Sequence, residues 1–280
     1  MRTSYGSILL VFAVAWCLTS AVSFSDTTGT LSSEPSGKPE EMVRRLLGKV
    51  LTISNLPEKS DNEWTDDFDE RQENVVASCF LASKDLIVTA RHNVTQFIYP
   101  RHLGTIRIRT SLMIYSSADP SITCDLLLDE FQIVANKEHD IALLRFKPTA
   151  KNYSAVTKQW SHFVLPIEPV ARGPVELGVP VAMIGFAGTT TQRSPLFVFG
   201  HLGGYEYLDK LSGPDYYVFD RGLQPGFSGG PIVSLRTGKV VAVATHIKQL
   251  AGSTFTWGAS NSALLQVIKS AFPDFSEGTP

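Results

Sequence analysis

Short runs rich in Val, Ile, Leu, Thr and Phe recur from residue 50 to residue 245, each closed by turn residues. They are Val50–Ile53, Val75–Leu81, Leu86–Thr89, Thr105–Ile108, Leu126–Val134, Ile141–Phe146, Val179–Phe186, Tyr216–Phe219, Ile232–Ser234 and Val240–Thr245. β-branched and aromatic side chains suit a pleated, half-buried surface, and runs this short between turn signals read as strands. Many such strands without alternating helical segments imply an all-β sandwich or pair of barrels and exclude a doubly wound parallel sheet. Helices are expected only near the ends. Pro39 opens a segment with Glu40 and Glu41 at its start and Arg44 and Arg45 near its end, the order a helix dipole favours. Ala263–Phe272 reads as a closing helix, capped by Asn261 or Ser262 and stopped by Pro273.

Composition narrows the function. At 280 residues and 43% hydrophobic content the chain can bury a full core, which argues against disorder. With 25 Lys+Arg against 27 Asp+Glu, a formal charge of -2, it lacks the basic excess of a nucleic-acid binder. Arg2, the apolar run Ile8–Leu18 and the small residues of Ala21-Val22-Ser23 outline a secretory signal peptide over residues 1–23. Beyond it no run reaches the roughly 18 apolar residues a spanning helix needs, so no stable membrane insertion is expected after cleavage. The mature protein is expected outside the cytoplasm, extracellular or periplasmic, with residues 24–48 a linker or pro-segment. Cleavage removes Cys17 and leaves Cys79 and Cys124, an even pair compatible with one disulfide in a secreted protein or with two buried thiols. Asn93-Val94-Thr95 and Asn152-Tyr153-Ser154 are glycosylation sequons, usable in a eukaryotic source. Residues 58–73 carry Glu58, Asp61, Glu63, Asp66, Asp67, Asp69, Glu70 and Glu73 without the glycine of a regular calcium loop, and read as a solvated surface loop.

Three segments carry chemistry. Leu86-Ile87-Val88-Thr89-Ala90-Arg91-His92 is a strand running into a histidine. His139-Asp140-Ile141-Ala142-Leu143-Leu144 places an aspartate at the head of an apolar strand. Pro225-Gly226-Phe227-Ser228-Gly229-Gly230-Pro231 frames a serine with glycines. Each alone is ordinary; in the order His, Asp, Ser on a secreted all-β chain they reinforce one another. A serine hydroxyl is a poor nucleophile until a neighbouring imidazole takes its proton. A carboxylate must hold that imidazole in the right tautomer. The oxyanion of the tetrahedral intermediate needs preorganised donors, and glycines allow the tight backbone that aims N–H groups at it.

These segments resemble the chymotrypsin-like (trypsin-like) serine peptidase superfamily. Thr89-Ala90-Arg91-His92 is similar to its histidine motif, Asp140-Ile141-Ala142-Leu143-Leu144 to its aspartate motif, and Gly226-Phe227-Ser228-Gly229-Gly230-Pro231 to its serine motif. The resemblance spans residues 49–275 and implies two packed six-stranded Greek-key β-barrels. The first would occupy about residues 49–150, the second about 163–260, followed by a C-terminal helix at about 262–272. It implies a secreted serine endopeptidase, acting on protein or peptide substrates as a monomer and without a cofactor. His92, Asp140 and Ser228 would be catalytic, and the N–H groups of Gly226 and Ser228 would form the oxyanion hole.

The chain departs from animal trypsins in ways that matter. Phe227 stands where they carry the Asp that pairs with the cleaved N-terminus, and no second cysteine flanks His92. Gln224-Pro225-Gly226-Phe227-Ser228 and Ala77-Ser78-Cys79-Phe80 instead look like segments of the bacterial Deg and glutamyl-endopeptidase-like branch, although no further module follows the closing helix. By the same resemblance Gly222 would lie at the base of the substrate pocket, with Thr245 and His246 on one wall. Without an acid at Gly222, cleavage after Lys or Arg is not expected, and an apolar or small residue is. An α/β-hydrolase is excluded because no acid precedes a histidine after Ser228. The histidines at 92, 102, 139, 162, 201 and 246 show no metal-ligand spacing, so no metal site is expected. A catalytically weak protein using this scaffold to bind a partner is the alternative class.

Overall fold

Strand after strand forms where the β-branched runs stand, in a computed structural model that describes residues 39–46, 49–57, 77–98, 108–114, 123–170, 173–186, 195–208 and 213–276. The signal segment and the acidic stretch 58–73 lie outside the described residues. The strands are β1 (Val50–Pro57), β2 (Ala77–Ser83), β3 (Leu86–Ala90), β4 (Ile108–Ile114), β5 (Thr123–Leu127), β6 (Phe131–Asn136) and β7 (Ile141–Phe146), then β8 (Pro180–Gly185), β9 (Leu196–Glu206), β10 (Tyr216–Phe219), β11 (Pro231–Ser234), β12 (Val240–Leu250) and β13 (Ser253–Ser260). The helices are α1 (Pro39–Leu46), α2 (Arg91–Ile98), α3 (Tyr153–Trp160) and α4 (Asn261–Ala271).

The second half closes into the expected six-stranded barrel, in the order β10-β13-β12-β11-β8-β9. The first half is an antiparallel seven-stranded sheet, β5-β4-β1-β2-β3-β7-β6, rather than a closed six-stranded barrel among the described residues. One continuous strand was expected at Leu126–Val134. A one-turn 3₁₀ helix, Leu128–Glu130, divides it into β5 and β6, which become the two ends of the sheet. β9 and β13 were not expected. Gly200, Gly203 and Gly204 interrupt the apolar pattern of β9, and Ser, Thr and Gly dilute that of β13. Glycine is tolerated in a barrel strand where the backbone must bend or another chain segment approaches closely. α2 and α3 were also unexpected.

Period-two alternation builds three cores from these strands. Along β2, β3 and β7, Leu81, Ile87, Ala142, Leu144 and Phe146 face a core capped by Trp160 of α3. Their neighbours Phe80, Val88, Ile141 and Leu143 face the barrel, meeting Ala182 and Ile184 of β8, Val243 of β12 and Leu264 of α4. Val181, Met183, Phe219, Val241 and Phe227 fill the barrel interior. β3, which leads into His92, and β7, which follows Asp140, are therefore buried on both faces, which anchors their ends at the seam. α4 starts at Asn261, two residues before the expected Ala263. Its cap is Ser260, whose hydroxyl accepts the Ala263 N–H at 3.1 Å. Just beyond it, Asp274 makes a bidentate pair with Arg145 of β7 (2.8 Å each), tying the chain's end to the first sheet.

Of the two possibilities open for Cys79 and Cys124, the disulfide is not formed: Cys79 is a free, fully buried thiol. Strands β1 and β4 intervene between β2, which carries Cys79, and β5, which carries Cys124. A disulfide needs Cα atoms within about 7 Å, whereas neighbouring strands are already about 4.8 Å apart. Burial pushes the Cys79 thiol well above its ordinary range, so it is packing material rather than a reactive group.

Candidate active site

His92 and Asp140 meet at the seam because β3 and β7 are hydrogen-bonded neighbours, with Ala90 opposite Ile141. His92 is the second residue of α2, just beyond β3, and Asp140 immediately precedes β7. The Arg91 N–H donates to the Asp140 carbonyl (2.8 Å) and the His92 N–H to Asp140 Oδ1 (3.1 Å). Asp140 adopts φ 53°, a left-handed conformation that turns the chain sharply before the strand. Its second oxygen, Oδ2, lies 2.7 Å from His92 Nδ1. An ionised carboxylate only accepts, so this contact places a proton on Nδ1 and the imidazole lone pair on Nε2.

Ser228 comes from the barrel, in the loop between β10 and β11. Gly226 and Gly229 have φ values of 98° and 85°, conformations that glycine alone adopts without strain. Gly229 N–H donates to Ala244 O (2.7 Å), and Ala244 N–H returns a bond to Gly230 O (2.9 Å), so β12 backs the turn. The Phe227 side chain is buried in the barrel core. Where a charged pair would anchor this position in an animal trypsin, an apolar plug does so here. Ser228 Oγ donates to Thr245 O at 3.3 Å. Among the described residues, neither the Gly226 nor the Ser228 N–H has a hydrogen-bond acceptor, which leaves both available as donors.

A cavity of about 390 Å³ opens beside His92 and Ser228. Leu223, Pro225 and Phe227 form one side, Ala244, Thr245, His246 and Ile247 the other, and Thr256 closes it. Gly222 is not among the lining residues. A Cβ there would stand 2.4 Å from the Thr254 side chain, so Gly222 packs against β13. Thr245 and His246 line the cavity. His246 stacks on Trp257 (ring centroids 6.0 Å apart) and meets the edge of Tyr216 (5.6 Å). Thr245 Oγ1 donates its one hydrogen to Trp257 O (2.8 Å), so its 3.1 Å contact with His246 Nδ1 makes that nitrogen the donor. In neutral His246 the acceptor is then Nε2. Burial, and secondarily Lys248, hold His246 below its ordinary value. Tyr216, which donates to Glu138 O (2.8 Å), is pushed up to about 12 by burial and by nearby carboxylates including Asp140.

Three polar residues of the first sheet and its following helix reach the serine turn, a role that the sequence motifs containing them did not indicate. Asn93 Nδ2 donates to Ser228 O (2.8 Å) and to Thr89 Oγ1 (3.0 Å). Thr89 Oγ1 donates to Ser78 O (2.8 Å), and Ser78 N–H donates to Ser228 O (3.2 Å). Asn93 is thus buried and engaged, so its sequon is not available for glycosylation in the folded chain, whereas Asn152 is exposed at the start of α3. The sequence signal that existed was a polar residue on buried strands at Ser78 and Thr89. No group of three or more metal-ligating side chains occurs among the described residues.

The family model of the trypsin-like peptidase domain matches residues 77–243. No curated protein matches the chain. Among solved structures, a serine endoprotease from Yersinia pestis is similar at 16% identity over 86% of this chain and 69% of its own, with a TM-score of 0.54. An HtrA-type protease solved with a tripeptide is similar at 15% identity over 85% of this chain and 64% of its own, with a TM-score of 0.53. At these identities the likeness is one of fold.

Proposed function

The chain belongs to the trypsin-like peptidase family, and from that premise we propose that it is a secreted serine endopeptidase working through an acyl-enzyme, with Ser228 as nucleophile, His92 as general base and Asp140 as its orienting carboxylate. The observation that carries this reading is the double grip of Asp140 on His92, side chain at 2.7 Å and backbone at 3.1 Å. It sets both the ring's tautomer and its position.

Rotation about the Ser228 Cα–Cβ bond exchanges the Thr245 carbonyl for His92 Nε2. As Oγ bonds to the scissile carbonyl carbon, its proton passes to Nε2. The carbonyl oxygen takes the electron pair and is held by the Gly226 and Ser228 N–H groups. Collapse of the tetrahedral species expels the amine, which takes the proton from His92, and leaves Ser228 acylated. Water then repeats the sequence and releases the acid. Resting hydrogen bonds in such sites are often loose and tighten only with substrate bound, so the 3.3 Å bond of Ser228 to Thr245 is compatible with this role.

The cavity favours a medium-sized apolar residue on the acyl side of the cleaved bond. Leu223, Pro225, Phe227, Ala244 and Ile247 contribute apolar walls, and no carboxylate lines it among the described residues. A basic side chain would be desolvated there without a partner. Residues 1–23 would act as the secretion signal.

The test is intact-mass spectrometry of secreted protein after fluorophosphonate treatment, with Ser228→Ala as control. One adduct, absent from the variant, together with loss of residues 1–23 from the untreated mass, is the expected result. Folded, processed protein that takes no adduct would overturn the peptidase reading in favour of a binding scaffold.

A further inference from the structure

Ser78 sits in β2, 148 residues from Gly226, yet its hydroxyl donates to the Gly226 carbonyl at 2.7 Å. The same oxygen accepts the Phe186 N–H at 2.9 Å. A hydroxyl has one hydrogen, and with Phe186 donating to the oxygen that hydrogen goes to Gly226. The result is a directional relay from the end of β8, through β2, to the serine turn. The other polar groups of Ser78 serve the same turn: its N–H meets Ser228 O, and its carbonyl receives Thr89 Oγ1.

The backbone is fitted closely around this side chain. A Cβ on Gly185 would lie 2.8 Å from Ser78 Oγ, one on Gly229 2.3 Å from Ser78 O, and one on Gly230 3.2 Å from Ser78 Cβ. Ser78 is fully buried. Gly226 is half-buried, and removing the hydroxyl takes away the one directional restraint that Ser78 places on its carbonyl.

On the reading that Ser228 is an acylating nucleophile, we propose that Ser78 is a positioning residue for the oxyanion hole. The Gly226 carbonyl and the Phe227 N–H belong to one peptide plane. Ser78 holds the carbonyl, and the Phe227 N–H is held at 3.3 Å by Gln224 O. Turning that peptide over would break both bonds and swing the Gly226 carbonyl away from β2. That rotation would disturb the donors on either side, the N–H groups of Gly226 and Ser228. The hydroxyl from the first sheet thus supplies the restraint that an ion pair at position 227 would otherwise supply, which Phe227 cannot. A turn held this way requires no newly cut N-terminus to set it.

Ser78→Ala removes the donor and little volume. The comparison is between a tripeptide aldehyde ending in leucinal, which adds to Ser228 and places an oxygen in the hole, and the matching alcohol, which fills the same cavity without doing so. Ser78→Ala is expected to lower kcat and aldehyde affinity by about 10- to 100-fold, with KM and alcohol affinity changed less than about twofold. Ile87→Val, a core truncation in the same sheet, controls for destabilisation and is expected to leave both ratios unchanged. If Ser78→Ala does not fold, Ser78→Cys, which keeps a weak donor, is expected to show the same split at smaller size. Equal losses for aldehyde and alcohol, or an unchanged kcat, would overturn the proposal. A parent protein without turnover and without preference for the aldehyde over the alcohol overturns the peptidase reading, and this inference falls with it.

Discussion

His139 Nε2 lies 2.9 Å from Asp215 Oδ1, and both side chains are buried. His139 immediately precedes Asp140, and Asp215 immediately precedes β10, so the pair joins the aspartate-bearing turn of the first sheet to the barrel. Asp215 Oδ2 also receives the Leu208 N–H (2.6 Å), and Tyr216 reaches across to Glu138 O. Removing His139 takes one hydrogen-bond partner from the buried Asp215 carboxylate, which keeps the Leu208 N–H. His139→Leu should therefore cost about 1–3 kcal/mol of stability by denaturant unfolding. The double replacement with Asp215→Leu should recover much of that loss. A single variant within about 1 kcal/mol of the parent would show that the pair is not a strut.

Asp140→Asn should keep the fold and the Michaelis complex but lose turnover. An amide can present its NH₂ to His92 Nδ1 and so favour the tautomer with the proton on Nε2, which cannot act as base. The expected fall in kcat is about 10⁴-fold, the size seen for this change in a related triad. Steady-state kinetics on a peptide with an apolar residue before the cleaved bond is the check. Near-parental turnover would remove Asp140 from the mechanism.

Gly229 and Gly252 share a φ of 85° but not their surroundings. A Cβ on Gly229 would lie 2.1 Å from Thr89 Oγ1, whereas one on Gly252 meets nothing within 4 Å. Gly252→Ala should therefore cost only the conformational penalty, about 1 kcal/mol. Gly229→Ala adds steric conflict and should cost at least about 2–4 kcal/mol. Parallel urea titrations decide, and equal losses would mean that the serine turn yields more easily than its packing implies.

His246 links stability to pH. Burial places its folded value below the ordinary 6.5, so as pH falls the unfolded chain takes up the proton first. The stability that the neutral ring contributes is present above about pH 6.5 and is lost as pH falls through the lowered folded value. Lys248 and His92 act in the same direction, and Asp140 and Glu206 oppose them. His246→Phe keeps the stacking on Trp257 and removes the titration. The difference in Tm between parent and variant should shift against the parent from pH 7 to pH 5, by thermal unfolding across that range. Parallel curves would assign the acid sensitivity elsewhere.

The all-β class, the closing helix and the residues of the candidate site were legible in the sequence because each depends on local chemistry. Alternating β-branched runs specify strands. Gly226 and Gly229 specify the tight turn around Ser228, and Asp140 sits one residue before a strand that can only be buried. Asn93, by contrast, reads as a glycosylation sequon. It becomes a buried support for Ser228 only once residues 135 positions apart meet. Gly222 does not line the cavity, because Thr254, on a strand the pattern did not reveal, occupies that side of it. The same holds for Cys79, whose partner in a disulfide is excluded by strand order and not by spacing along the chain. Composition, periodicity and turn residues thus determined which elements form and which side chains can do the chemistry. Tertiary structure alone decided what holds those side chains, since hydrogen bonds from Ser78 to Gly226 and from His139 to Asp215 join segments that share no local pattern. Their partners are selected by how the sheet and barrel pack, after the local rules have been spent.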